Sequence, residues 1–439
     1  MDYELWIILY LCTKILRYMK KFVFALSIIM LFIACNKDDD YQEIKADRTV
    51  LVYISGECSL WDYVDSDLEE MKTGSQTIGD NNLVVYVDRG NTEEIPWLAR
   101  ISKGQLVDSV SIKDIVKKMD LTPVKTSVTD DPYSSEAQVM EGVLRYAFNK
   151  YPSKNNDYGL VLWGHGTGWL IQDSISYNAM ARKKAYGIDN GKNGYSDIGK
   201  WLNFPSMAKL LSKLPHLTFI FGDCCHTMCL EIAYELRYVT DYLIGTPAEI
   251  PGVGAPYDTI IPALFERTTF WQSIIDRYYE QKAGGYELPL SVIKTSEIEN
   301  LANATKTVLK TFGDKFQDNE TYPDLSDLIH YYYNYFGDKQ IYYDANDFIL
   351  KYASTNEYNT WKKALDQAVI YKKMATRWMT NLVPRYGTWT TFYGDFEMTE
   401  EKYGGVSMHI PQWKFQNTYN KTIKQMGWYY AAGYSDIGW

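Results

Sequence analysis

The chain has 439 residues, a formal net charge of −10 and six cysteines, and 46% of its residues are hydrophobic. Its 15% aromatic and only 23% charged content exclude wholesale disorder, and six cysteines over this length exclude a disulfide-stapled miniature. The acidic balance argues against nucleic acid as a partner, because phosphate binding needs a basic face.

At the N-terminus, Met19-Lys20-Lys21 is a basic stretch and Phe22–Ala34 an apolar run. The run is short for a bilayer span and suits the apolar region of a signal peptide. Lys14, Arg17, Lys20 and Lys21 interrupt any longer apolar segment from Leu5. We therefore expect translation to start at Met19 and residues 1–34 to be a signal peptide. Phe32-Ile33-Ala34-Cys35 resembles a bacterial lipobox, with Phe32 as a departure. That resemblance implies cleavage before Cys35, lipidation of Cys35 and attachment to a membrane through the lipid. Residues 35–47 read as a solvated tether. Its Asp38-Asp39-Asp40 run resembles the acidic export signals of surface lipoproteins. The expected location is the outer membrane, at the cell surface or in the periplasm.

The mature chain then alternates short apolar runs with helical patterns. Thr49–Ile54 and Leu83–Val87 read as buried strands, with helical spacing over Trp61–Met71 between them. Ser135–Tyr151 is predicted helical, with Ser135 and Gln138 as a capping box. Tyr158–Trp163, Leu217–Gly222 and Tyr242–Ile244 are predicted strands; Thr227–Val239 and Ile260–Lys282 are predicted helices. Leu288–Lys294 reads as a strand, about 297–312 as a helix and Val406–Ile410 as a late strand. Strands apolar throughout, with helices between them, predict an α/β fold with a mostly parallel sheet covered on both faces. Residues 48–312 would form that core. Residues 313–439 would be a helical elaboration, with helical spacing in Asp324–Tyr335 and Tyr358–Met379, one core strand at 406–410 and an aromatic C-terminus.

Parallel sheets carry function beyond the carboxyl ends of their strands. After Tyr158–Trp163 comes Gly164-His165-Gly166-Thr167-Gly168-Trp169, and after Leu217–Gly222 comes Asp223-Cys224-Cys225-His226. A thiol and an imidazole brought together there would form a strong nucleophile near neutral pH. A helix starting just after Cys225 would lower the thiol pKa further through its dipole. A sheet with an aromatic surface is also compatible with a non-catalytic surface lipoprotein that binds glycan or protein. The His165 and Cys225 pair favours the enzyme.

These motifs resemble the clostripain family of cysteine peptidases, in the caspase-like clan. The resemblance rests on His165-Gly166-Thr167-Gly168-Trp169, Asp223-Cys224-Cys225, Glu231, Ala233-Tyr234-Glu235-Leu236, Pro247-Ala248-Glu249 and Pro251–Tyr257. It implies a caspase-like sheet flanked by helices, with Cys225 as nucleophile and His165 as general base and acid. The backbone N–H groups of Gly166 and Cys225 would form an oxyanion hole. Cleavage after Arg or Lys is implied, with Asp223 lining the pocket for the basic side chain and Glu249 or Asp258 supplying a second acid. Cys224 stands where the family has alanine, and His226-Thr227 replace an apolar pair, placing a second thiol and a second imidazole beside the site. The resemblance also implies self-cleavage between the two catalytic residues, where Arg182-Lys183-Lys184 offers a basic target. Calcium dependence is suggested by the family alone. No EF-hand loop is present, although Asp130-Asp131 and Asp189-Asn190 are acidic loops that suit a cation. No metal-ligating residues are assigned.

Overall fold

The computed structural model describes residues 45–90, 93–126, 131–171, 185–191, 199–282, 285, 287–312, 322–332, 341–380, 390–392 and 397–439. The expected signal peptide over 1–34, Cys35, Asp130 and the run Arg182-Lys183-Lys184 lie outside the described residues. No helix among those residues is long and apolar enough to cross a membrane.

Nine strands form the central sheet of Ile44–Trp439, which is one compact unit. In chain order the first elements are β1 (Thr49–Gly56), α1 (Val64–Gly74), β2 (Asn82–Arg89), β3 (Trp97–Ser102), β4 (Gln105–Ser111), α2 (Ile112–Lys118), α3 (Ala137–Lys150) and β5 (Tyr158–Gly164). Next come β6 (Tyr186–Asp189), β7 (Lys200–Leu202), α4 (Phe204–Leu211), β8 (Leu217–Asp223), α5 (Leu230–Leu236), β9 (Thr240–Gly245), α6 (Tyr257–Leu264) and α7 (Phe270–Gln281). The last are β10 (Leu290–Lys294), α8 (Ile298–Phe312), β11 (Tyr343–Asp344), α9 (Ala345–Tyr352), α10 (Thr355–Ala368) and β12 (Val369–Lys373). The sheet order is β12-β10-β9-β8-β5-β1-β2-β3-β4. The central pairs β9-β8, β8-β5, β5-β1 and β1-β2 are parallel; β10 and β3 are the strands that run against the rest.

The apolar strands have two partners because their side chains alternate between faces. Leu51, Tyr53, Leu160, Leu162 and Ile220 point to one face, where α3, α4, α5, α8 and α10 pack. Val50, Val52, Ile54, Val161, Phe219 and Phe221 point to the other, covered by α1, α6 and α7. Both faces are dry, so no polar alternation survives in β1 or β5.

Several elements differ from the sequence reading. The helix expected over Ile260–Lys282 is two, α6 and α7, with Pro262 inside α6 and Thr269 in a left-handed conformation at the start of α7. Arg48 holds the break. Its Nη1 donates to the carbonyls of Leu264 (2.6 Å) and Glu266 (2.9 Å), its Nε donates to Asp157 (2.9 Å), and its guanidinium lies over the Phe270 ring at 4.7 Å. Carbonyls left over at a helix end thus find a buried cation. Ser135 does not cap α3, whose N-cap is Glu136 with no side-chain cap bond. Gln138 instead donates to the Thr122 carbonyl, 3.2 Å away. Residues 322–332 are irregular where helix was expected, because Ile329 N–H donates to Asp347 and Tyr331 N–H to the Tyr342 carbonyl. The expected helix over Tyr358–Met379 ends at Ala368, and the chain continues as edge strand β12. The late strand is only Ser407–Met408 and pairs with β11 outside the central sheet.

Arg48→Ala is expected to destabilise the fold by about 3 kcal/mol, since it strands two carbonyls and a carboxylate in a poorly hydrated site. The midpoint of urea unfolding measures it.

Candidate active site

Strand register brings the two motifs together. Ser55 of β1 pairs with Gly164 of β5, and Trp163 of β5 pairs with Asp223 of β8. The loops leaving these neighbouring strands therefore start side by side. Together they line a groove of ≈870 Å³ that contains His165, Gly166, Asp223, Cys224, Cys225, His226 and Glu249.

The loop after β8 is the part that sequence reading misplaced. No helix starts after Cys225; α5 begins only at Leu230. His226 adopts a left-handed conformation (φ 57°), and the N–H groups of His226 and Met228 donate to the carbonyls of Ala248 and Thr246. Those donors are spent on the chain leaving β9, so the segment cannot wind into a helix. The expected dipole is therefore absent from the thiol. The reversal at His226 also separates the adjacent cysteines. Cys224 is 2% exposed with its Sγ 3.1 Å from Thr227 Oγ1, while Cys225 stays partly open to the groove. Burial pushes the Cys224 thiol up to about 12, and it pushes the Cys225 thiol up as well; what makes Cys224 the poorer nucleophile is that it is closed off from solvent.

Cys225 is not pre-ionised. Burial first and the Glu249 carboxylate second push its thiol up, against one hydrogen bond from Ile250 N–H to Sγ at 3.3 Å. His226 adds no positive charge. Its Nδ1–H donates to the Pro247 carbonyl at 2.8 Å, its ring stacks on Tyr342 at 4.1 Å, and burial pushes it down to about 4. It is a neutral wall of the groove.

His165 extends from a tightly held turn. Gly187 N–H donates to the His165 carbonyl and Thr167 N–H to the Ala185 carbonyl, so Gly166 is bracketed against β6. A Cβ on Gly166 would lie 2.5 Å from the Cys225 carbonyl and 3.2 Å from Cys225 N, so only glycine allows the two backbones to meet. The other members of the matching motifs are structural. Trp169 is buried against the His409 ring at 4.7 Å, and Glu231 accepts from His409 N–H at 2.6 Å.

The expected acids separate. Asp223 is 5% exposed and its carboxylate accepts from Ala255 N–H (3.1 Å), Tyr257 Oη (2.8 Å) and Tyr278 Oη (3.0 Å). Gly254, at φ 60°, makes room for it, since a Cβ there would lie 2.9 Å from Asp223 Oδ2. Burial raises the Asp223 pKa in spite of these donors. Glu249 lines the groove, but Asp258 does not; it is exposed at the start of α6, where its Oδ1 accepts from Thr259 N–H. Sequence reading missed Asp67, which accepts from Trp163 Nε1 at 2.6 Å. Burial first, then the charge of Asp223, pushes its carboxyl up to about 8. The helical spacing of Trp61–Met71 singles out its apolar residues and says nothing of an acid between them. Ser59, whose Oγ lies 2.8 Å from His165 Nε2, was also missed, because nothing local distinguishes a loop serine.

Away from the groove, Glu57, Asp88 and Asp131 are buried with ligand atoms within 4.8 Å of one another. Asp189 adjoins them, and burial and Asp88 raise its pKa. Asp131 and Asp189 are thus drawn from the two acidic loops noted in the sequence.

A mostly parallel α/β sheet with a cysteine and a histidine at neighbouring strand ends of one groove is the arrangement of a class, the caspase-like cysteine peptidases. Comparison narrows it. The model of the clostripain family matches residues 52–432, and the chain belongs to that family: it is a cysteine endopeptidase. Clostripain of Hathewaya histolytica is 20% identical over 89% of this chain and 82% of its own length. A secreted C11 cysteine protease from Bacteroides thetaiotaomicron, solved with an irreversible peptide inhibitor, is 30% identical with a TM-score of 0.70, covering 89% of this chain and 100% of that one. An inactive zymogen C11 protease from Parabacteroides distasonis is 27% identical with a TM-score of 0.68, covering 88% and 98%.

Because Glu249 raises the thiol pKa, Glu249→Gln should lower it. Alkylation of Cys225 by iodoacetamide at pH 7 is expected to speed up several-fold, with its pH midpoint moved to lower pH. Unchanged alkylation would show that Glu249 does not act on the sulfur.

Proposed function

We propose that this chain is a lipid-anchored endopeptidase that cleaves peptide bonds after Arg or Lys through a Cys225/His165 dyad. The observation that carries the reading is the common groove, with a partly open thiol, an imidazole from the next strand and a buried carboxylate beside them. A neutral thiol needs a base at the moment of attack. His165 takes the Sγ proton as sulfur bonds to the scissile carbonyl carbon. The oxygen, now negative, is held by the N–H groups of Gly166 and Cys225. The imidazolium gives its proton to the departing amine and the C–N bond breaks, leaving a thioester. His165 then takes a proton from water, whose oxygen attacks the thioester, and the carboxylic acid leaves as the thiol re-forms.

Asp223 supports the basic preference. It is a buried carboxylate held by three neutral donors, and a guanidinium entering the groove would give it a charged partner. Glu249, at the rim, adds a second negative charge; Asp67, largely protonated near pH 7, adds little. The resemblance also suggests calcium. The all-oxygen set of Glu57, Asp88 and Asp131 fits that hard cation. Bound there, calcium would supply charge neutralisation and hold the end of β1, with no part in proton transfer.

Self-cleavage at Arg182-Lys183-Lys184 is the proposed activation step, and the zymogen form of the Parabacteroides distasonis relative supports such a stage. Ala185, the residue that follows this run, accepts the Thr167 N–H beside His165 through its carbonyl, so a cut there would be felt at the site.

Hydrolysis of fluorogenic peptides ending in Arg or Lys tests the reading. Cys225→Ala and His165→Ala should lose essentially all activity, and Cys225→Ala should remain uncut after residues 182–184. Asp223→Asn should lower kcat/KM for Arg substrates about a hundredfold, the weight of one buried charged pair. An active Cys225→Ala, or an unaffected Asp223→Asn, overturns the nucleophile or the pocket respectively.

The lipid anchor rests on Ala34-Cys35 after the apolar run. Labelled palmitate should enter the full-length protein expressed in a Gram-negative host and not its Cys35→Ala variant; labelling of the variant would refute the anchor.

A further inference from the structure

We infer that Ser59 is a positioning residue for His165, the hydroxyl that fixes which imidazole nitrogen faces the thiol. The inference rests on the dyad proposed above.

Ser59 Oγ lies 2.8 Å from His165 Nε2. Sheet order gives the contact its meaning. β1, which leads to Ser59, and β8, which leads to Cys225, flank β5 on opposite sides. The imidazole at the end of β5 therefore stands between a hydroxyl and a thiol. Its Nε2 is engaged on the Ser59 side, and in this inference Nδ1 faces Cys225. A base must offer the thiol a lone pair, so the neutral ring has to carry its proton on Nε2. Ser59 Oγ can accept that N–H, and the bond holds the ring in the orientation in which Nδ1 acts as the base. Once Nδ1 has taken the thiol proton, the same bond persists to the imidazolium and steadies its charge.

The loop that presents Ser59 is stiff although Ser59 itself is exposed. Gly90 N–H donates to the Gly56 carbonyl at 3.1 Å, and Asn190 N–H donates to the Glu57 carbonyl at 3.0 Å. The next residue, Cys58, is 2% exposed and packs with Ala185, Ile188 and Trp201. The ends of β2 and β6 thus clamp the two residues before Cys58, which itself anchors in a small apolar cluster. Such anchoring is what a group needs to hold another at a set angle; an exposed serine on a free loop would not supply it.

The experiment compares Ser59→Ala, Ser59→Val and Ser59→Thr in the full chain, using an Arg fluorogenic peptide, with His165→Ala as reference. Ser59→Ala and Ser59→Val should lose about tenfold in kcat, the weight of one neutral hydrogen bond, with KM within about twofold. Ser59→Thr should recover kcat, since it restores the hydroxyl; Thr and Val are equal in size, so a difference between them reports the hydroxyl and not the packing. Equal kcat for Ser59→Val and Ser59→Thr, or an unchanged Ser59→Ala, overturns the inference while an inactive His165→Ala leaves the dyad standing. An active His165→Ala removes the dyad itself.

Discussion

The register of three neighbouring parallel strands is the constraint on which this molecule depends. Ser55 lies against Gly164 and Trp163 against Asp223, so the loops carrying Ser59, His165 and Cys225 leave the sheet at one level. Strand pairing has a period of two, and a slip of one residue in β8 would turn Cys225 and Asp223 to the wrong side. Packing on both faces forbids that slip. Phe219 and Phe221 are committed to one layer of helices and Ile220 to the other. The core therefore does more than stabilise the fold; it sets the separation of the groups that meet in the groove.

Electrostatics in the groove run opposite to a pre-charged thiolate. Burial and Glu249 hold Cys225 protonated, and burial keeps His226 neutral. Burial first, and the charge of neighbouring Asp223 second, favour a proton on Asp67. In the function proposed above, such a site would hold negative charge in reserve for a cationic side chain and leave proton removal to His165. Its resting thiol is correspondingly protected from indiscriminate chemistry, because nucleophilicity depends on the thiolate.

Much of the fold was legible. β1, β2, β5, β8, β9 and β10 stand out as apolar runs because strands buried on both faces need no polar alternation. β3, β4 and β12 were not legible. Trp97–Ser102 and Val369–Lys373 carry Arg100, Lys372 and Lys373, and the exposed edge strand Gln105–Ser111 is polar, which edge positions permit. The break between α6 and α7 depends on Arg48, more than two hundred residues earlier in the chain, so no local window contains its cause. At the site, the acid two positions before Cys225 was legible as a groove residue, whereas Asp258 was misplaced because helix α6 turns it outward.

By itself, the sequence determined the family, the α/β alternation and the two strand-end motifs, because these are written in local periodicity and in residues with few chemical substitutes. Tertiary structure alone decided which of two adjacent cysteines opens to the groove, that no helix dipole reaches it, and that a serine from the loop after β1 meets His165. Each of these depends on hydrogen bonds between segments far apart in the chain, such as His226 to Ala248 and Asn190 to Glu57, and such bonds leave no pattern in the sequence that makes them.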